Sequence, residues 1–264
     1  MTELDARDSS GFSRRTVVRG AAWAVPVVSM AATAPAFAAS PCMTDYAYAL
    51  DWGNASKMSY TPPTTPTGAG TKTGTALALA PAAGASAVTV TFESTIAGTV
   101  TRTSTNLTVG GTNVGALGGP ALLLAHDAIQ TTRSNRQQVL ITFSRAVTGL
   151  SFSLVDIDSQ RGNWYDQVEL TGTTGVGTNA AAFTQAPVAT ETDTNVVVWG
   201  NGSQTSPWRP RADNLNVPAG DGSGNKALTF TTPVKTLTLV YWNSSGSGNQ
   251  TIAITDLNFT AKGC

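Results

Sequence analysis

Between Val139 and Leu170 the chain reads VLITFSRAVTGLSFSLVDIDSQRGNWYDQVEL, and the alternation inside this stretch leaves room for little besides β-structure. Val139, Ile141 and Phe143 alternate with Leu140, Thr142 and Ser144; Leu150, Phe152 and Leu154 alternate with Ser151, Ser153 and Val155. A period of two built from β-branched and aromatic residues marks strands in a half-buried sheet. The residues from Arg145 to Gly149 read as a tight turn between two strands. Asp156 and Asp158 keep the parity of Phe152 and Leu154, so a continued strand would aim two carboxylates at the apolar side. They are expected where the strand leaves the core, either solvated or holding a cation. Asp166 follows a short loop carrying Trp164, and Tyr165–Leu170 reads as the return strand.

Similar short runs recur along the chain. Residues 45–52, Ala76–Leu79, Ala87–Glu93, Thr99–Val109, Ala121–Ala125, Val196–Trp199, Ala227–Thr231, Leu237–Trp242 and Ile252–Phe259 all read as strands punctuated by glycine turns. In the last run, Ile252 and Ile254 are even and Leu257 and Phe259 odd, a slip that predicts a bulge at Thr255-Asp256. Thr61–Gly74 and Gly200–Gly224 have no periodicity and are read as long loops. Ala180–Phe183 reads as one helical turn. With no amphipathic helix after residue 38, the expected fold is all-β: a single two-sheet sandwich, jelly-roll or lectin-like, over residues 39–264. Two immunoglobulin-like domains are the alternative, but the chain offers no clean boundary for them.

The first 38 residues are of a different kind. Ser13-Arg14-Arg15-Thr16-Val17-Val18 precedes an apolar run from Gly20 to Phe37 that ends in Ala36-Phe37-Ala38. The arginine pair and the small-x-small ending resemble a bacterial twin-arginine export signal, with Arg14 and Arg15 as its recognition pair. A membrane-spanning helix is the competing reading, since the run approaches the required length of about 20 residues. The resemblance implies the export machinery as a partner, release outside the cytoplasm or at the cell envelope, and folding before export. Removing residues 1–38 leaves 12 basic and 13 acidic residues and no further apolar stretch long enough to span. A net charge of −1 without a clustered basic face argues against nucleic acid as a partner. Cys42 and Cys264 bracket the remaining chain, and secretion favours a disulfide between them over two free thiols.

Phe143, Ser144, Val147, Thr148, Leu150, Ser151, Phe152, Leu154, Asp156, Ile157, Asp158, Trp164 and Asp166 also resemble a recurring module of bacterial surface and secreted proteins. That resemblance covers about thirty residues and implies a sandwich domain outside the cell.

Three sets of residues are candidates for chemistry. Asp156, Asp158 and Asp166, with carbonyls of the Ser159–Asn163 loop, have the oxygen-rich composition of a structural Ca²⁺ site, though not the spacing of an EF-hand. Their plainer role is as solvated acids, or as partners of Arg161 or Arg145. Trp164 and Trp208, beside Arg209 and Arg211 in polar loops, are candidates for a platform on which sugar rings stack, whereas Trp199 and Trp242 read as core. His126, the sole histidine, excludes a histidine-rich zinc site, and no G-x-S-x-G elbow accompanies it. Carboxylates at Glu93, Asp166 and Glu169 leave glycoside hydrolysis open, because that chemistry depends on spatial rather than sequence spacing. The expected function is a binding or structural surface protein with polysaccharide as the first ligand; a secreted carboxylate-dependent hydrolase or lyase is the alternative.

Overall fold

The computed structural model describes residues 41–177, 179–187, 196–218 and 220–264. The twin-arginine pair and the whole 1–38 leader lie outside the described residues. Among the described residues seventeen strands follow in chain order: β1 (Asp45–Leu50), β2 (Met58–Thr61), β3 (Lys72–Ala78), β4 (Val88–Ala97), β5 (Thr101–Arg102), β6 (Thr108–Gly110), β7 (Ala121–Ala128), β8 (Arg136–Val155) and β9 (Ser159–Gln160). Then come β10 (Trp164–Thr173), β11 (Phe183–Ala186), β12 (Val198–Trp199), β13 (Arg209–Pro210), β14 (Lys226–Phe230), β15 (Val234–Asn243), β16 (Gly248–Ile254) and β17 (Leu257–Lys262). Among the described residues the only helical pieces are 3-10 turns of three residues, so the all-β expectation holds. Pro41–Cys264 forms one compact unit, and no helix among the described residues is long and apolar enough to cross a membrane.

All strand pairing among the described residues is antiparallel, and β8 organises it. Its first half, Arg136 to Phe143, lies between β4 and β15, in an assembly ordered β2-β3-β4-β8-β15-β10-β9. Its second half pairs with β14 on one side and with β17 and β16 on the other. There β17 carries β1, β14 carries β11, and β16 carries β7 with the short β5 and β6. The tight turn expected at 145–149 is therefore absent: one 20-residue strand passes from one layer to the other. The parity switch from Phe143 to Leu150 records that passage. Gly149 absorbs it at φ +59°, a conformation in which a Cβ would be strained.

The corner near the C-terminus has the same origin. Instead of a bulge within one strand, Thr255-Asp256 separates β16 from β17, because β16 pairs with β7 while β17 pairs with β1. The Thr255 hydroxyl accepts the Ser153 amide at 2.8 Å, and Asp256 accepts the Trp52 amide at 2.9 Å. Two further expectations are corrected. Ala180–Phe183 is not helical, since Phe183 opens an edge strand against β14. Thr99–Val109 is not one strand, because Asn106 is drawn into the interior and a turn separates β5 from β6.

The core lies between the layers. Val88, Val90 and Phe92 from one face meet Ile252, Ile254, Leu257 and Phe259 from the other. Phe259 packs on Phe143 at 5.5 Å and on Tyr48 at 5.6 Å, and Trp52 on Phe92 at 5.8 Å between ring centres. Trp242 is buried, as expected. Where β1 and β17 run side by side at the edge, the Cys42 and Cys264 Cα atoms come within 4.6 Å and the disulfide closes.

Candidate functional site

The three aspartates do converge, and the oxygens of Asp158 and Asp166 already have partners. Asp156 leaves β8 at φ +68°, a left-handed turn that sends the chain towards β9. Asp158 is buried; it accepts the Trp164 indole N–H at 2.5 Å on one oxygen and the Val217 amide at 2.8 Å on the other. Asp166, also buried, accepts the Asp158 amide at 3.0 Å and the Tyr241 hydroxyl at 2.8 Å. Burial pushes the Asp156 carboxyl up to about 7, with the Asp158 charge adding to it. Burial raises Asp158 too, against the pull of the Trp164 and Val217 donors. For Asp166, burial and the Asp158 charge raise the carboxyl well above the ordinary range despite its two donors. These donors tie the 213–217 loop, the β9–β10 turn and β15 together. Among the described residues, no group of three or more His, Cys, Asp or Glu side chains is arranged to hold a metal ion. The arginines named as alternative partners are engaged elsewhere. Arg161 pairs with Asp213 at 2.9 Å, and Arg145 donates to the Tyr48 hydroxyl and the Ser86 carbonyl.

Behind this cluster lies a layer of interior polar groups. His126 packs edge-on against the Tyr241 ring at 4.5 Å and lies between Gln137 and Gln250 at 3.2 and 2.9 Å. Gln137 in turn donates to Ser94 and Asn106. Burial lowers the His126 pKa to about 4, the Gln137 contact opposing it, so the ring is neutral at physiological pH. A fully buried imidazole bonded to amides serves the interior. Glu169 is also committed: Arg133 grips both its oxygens, at 2.6 and 2.7 Å.

The aromatic platform must be redrawn. Trp208 is fully buried, the largest enclosed side chain among the described residues. Its backbone pairs with Val168 of β10, its indole N–H donates to Gln185, and Phe183 packs on its ring at 5.9 Å. Gly202 presses on the indole from the other side; a Cβ there would come within 2.5 Å of the ring, at a φ of +78°. The exposure expected from its polar neighbours is overruled because the 201–208 loop folds back onto β10. Trp199, read as core, is half-buried with the Arg209 guanidinium 5.7 Å above its ring. Trp164 is half-buried and tied to Asp158. Arg211 is half-buried, and its backbone amide donates to the Val197 carbonyl at 2.8 Å. None of Trp164, Trp208, Arg209 and Arg211 lines the cleft that Trp208 supports.

That cleft, of about 520 Å³, opens between the edges of the two layers. Leu170 and Thr171 of β10 and Phe183, Thr184 and Gln185 of β11 form one side, and the 201–204 turn forms the other. Gln185 is pinned in place: it accepts from Trp208 and donates to the Gly200 carbonyl at 3.2 Å. Asn201 shapes the turn by accepting the Ser203 amide at 3.0 Å, leaving Thr184 and Gln204 exposed at the rim. No residue around this cleft is titratable. No family model, curated protein or solved structure matches the chain. The chemistry of the cleft therefore rests on its own residues: an apolar floor of Leu170 and Phe183 under a rim of hydroxyls and side-chain amides. The sequence pattern did not single out these residues. Their signal was faint, since Asn-Gly-Ser-Gln reads only as a turn and Phe183–Ala186 is too short to show alternation.

Proposed function

We propose that this protein is exported and acts outside the cytoplasmic membrane by binding an uncharged polysaccharide in the cleft between β11 and the 201–204 turn. The observation that carries the reading is the make-up of that cleft, with an aromatic and aliphatic floor, amide and hydroxyl rim groups and no charge. A sugar ring offers the complement: an apolar face of C–H groups and a periphery of hydroxyls that donate and accept. Export is supported by the arginine-pair leader and by a disulfide between the chain ends, a bond at home in an oxidising compartment. Binding is preferred to hydrolysis because Glu169 is gripped by Arg133, while Asp158 and Asp166 are buried among protein donors. No structural role is assigned to Ca²⁺ in this reading.

Affinity electrophoresis in gels containing neutral polysaccharides, run beside a reducing-end assay, tests the proposal. The protein should be retarded without releasing reducing ends, and Gln204→Ala should weaken retardation at least threefold while leaving the melting temperature unchanged. Release of reducing ends, or equal retardation of the Gln204→Ala protein, would overturn it.

A further inference from the structure

The cleft ends at Thr184, and a second one begins at the residue across the ladder from it. Thr184 of β11 stands opposite Thr229 of β14, Thr229 opposite Ser151 of β8, and Ser151 opposite Asn258 of β17. Side chains paired directly across an antiparallel ladder lie on the same face of the sheet. Here that face is the outer one, for Leu228 and Phe230 on β14 turn inward and are buried. Thr229, Ser151 and Asn258 belong to a separate cleft of about 300 Å³, to which Ser153, Thr255 and Asp256 also contribute. Leu117 and Pro120 wall this cleft, and Leu117 is 55% exposed at its lip. Among the described residues, no protein hydrogen bond engages the side chains of Ser151, Thr229 or Asn258, so their donors and acceptors are open to a ligand. Asp256, anchored by the Trp52 amide, adds a carboxylate suited to accept from sugar hydroxyls.

We propose that the two clefts form one continuous track and that the ligand is therefore a polymer laid across β11, β14, β8 and β17, rather than a free sugar. This rests on the polysaccharide reading of the first cleft. Three inter-strand steps of about 4.8 Å carry the ladder roughly 14 Å, enough for several sugar rings in succession. A mono- or disaccharide would fill one cleft and leave the other unused. A chain would gain from both, the second cleft being engaged at the high effective concentration that linkage provides.

Isothermal titration with two-unit and six-unit oligosaccharides from β-glucan, xylan and mannan tests the track. In the series that binds, the six-unit ligand should bind at least tenfold more tightly than the two-unit one. The double substitution Ser151→Ala and Asn258→Ala should lower six-unit affinity at least threefold and leave two-unit affinity unchanged, whereas Gln204→Ala should weaken both. Both residues of the double variant face outward, and its melting temperature serves as the folding control. Equal affinity for two and six units, or no effect of the double variant, would overturn the track while sparing the single-cleft reading. Failure of every series to bind at millimolar concentration would overturn both.

Discussion

At the scale of single residues, the buried acids set a pH dependence whose sign can be worked out. The Asp156 carboxyl titrates at about 7 in the folded protein against 3.8 for an ordinary aspartate. The folded state thus binds more protons than the unfolded state across that interval, and stability falls as pH rises through it. The contribution is fully present below about pH 4 and lost above about pH 7. His126 acts in the opposite sense: its pKa of about 4 in place of 6.5 means that its contribution is present above 6.5 and lost as pH falls towards 4. Asp156→Asn separates the two effects, because asparagine tolerates the left-handed backbone at this position. The variant should gain on the native protein as pH rises from 5 to 8, by several degrees in melting temperature. A difference in melting temperature that stays constant over that range would show that Asp156 titrates like a solvated carboxyl. Only part of this was legible in advance. Strand parity aimed Asp158 inward, but nothing local indicated that Trp164, Val217 and Tyr241 would supply the donors.

At the scale of elements, the fastening of the long 62–71 loop depends on one buried cation. Arg102, in the two-residue β5, donates to the carbonyls of Gly68, Gly70 and Ser94 and to the Ser94 hydroxyl, at distances between 2.6 and 3.0 Å. Burial lowers its pKa, and its hydrogen bonds run to neutral oxygens. Arg102→Ala would strand these acceptors and leave a cavity, destabilising the protein by about 2–4 kcal/mol. Urea unfolding should register that loss, and limited proteolysis should begin within 62–71; a loop still resistant at native stability would sink the account. Proline, threonine and glycine mark this stretch as a loop by composition alone. Its anchor is invisible there, because Arg102 lies some thirty residues further on. The same limit explains β8: its parity slip is plain in the letters, yet a slip is compatible with a turn, a bulge or a change of sheet. The choice was made by β15 on one side and by β14 and β17 on the other.

For the whole molecule, the disulfide spans 222 residues and joins strands that already lie side by side. Closing so long a loop in the unfolded chain corresponds to about 5 kcal/mol in the chain-entropy description, an upper value in practice. Because β1 and β17 hold each other through their own ladder and through the Tyr48–Phe259 stack, the core should form without the bond. Cys42→Ser with Cys264→Ser should therefore give a folded protein with unchanged far-ultraviolet circular dichroism, a lower urea midpoint and a lower melting temperature. A variant that fails to fold would make the bridge a condition of the fold rather than its reinforcement. A folded state that forms first and is clasped later also suits a chain proposed to cross the membrane already folded.

By itself, the sequence determined the class of fold, most of the segments that become the longer strands and the pairing of the two cysteines. Those follow from periodicity, turn chemistry and a count of two thiols at opposite ends, all of which are local or countable. Tertiary structure alone decided which tryptophan is fully buried, which carboxylates have donors and where uncharged amides gather into a cleft. Burial is a property of the neighbours a side chain acquires, and here those neighbours come from strands far apart in the chain.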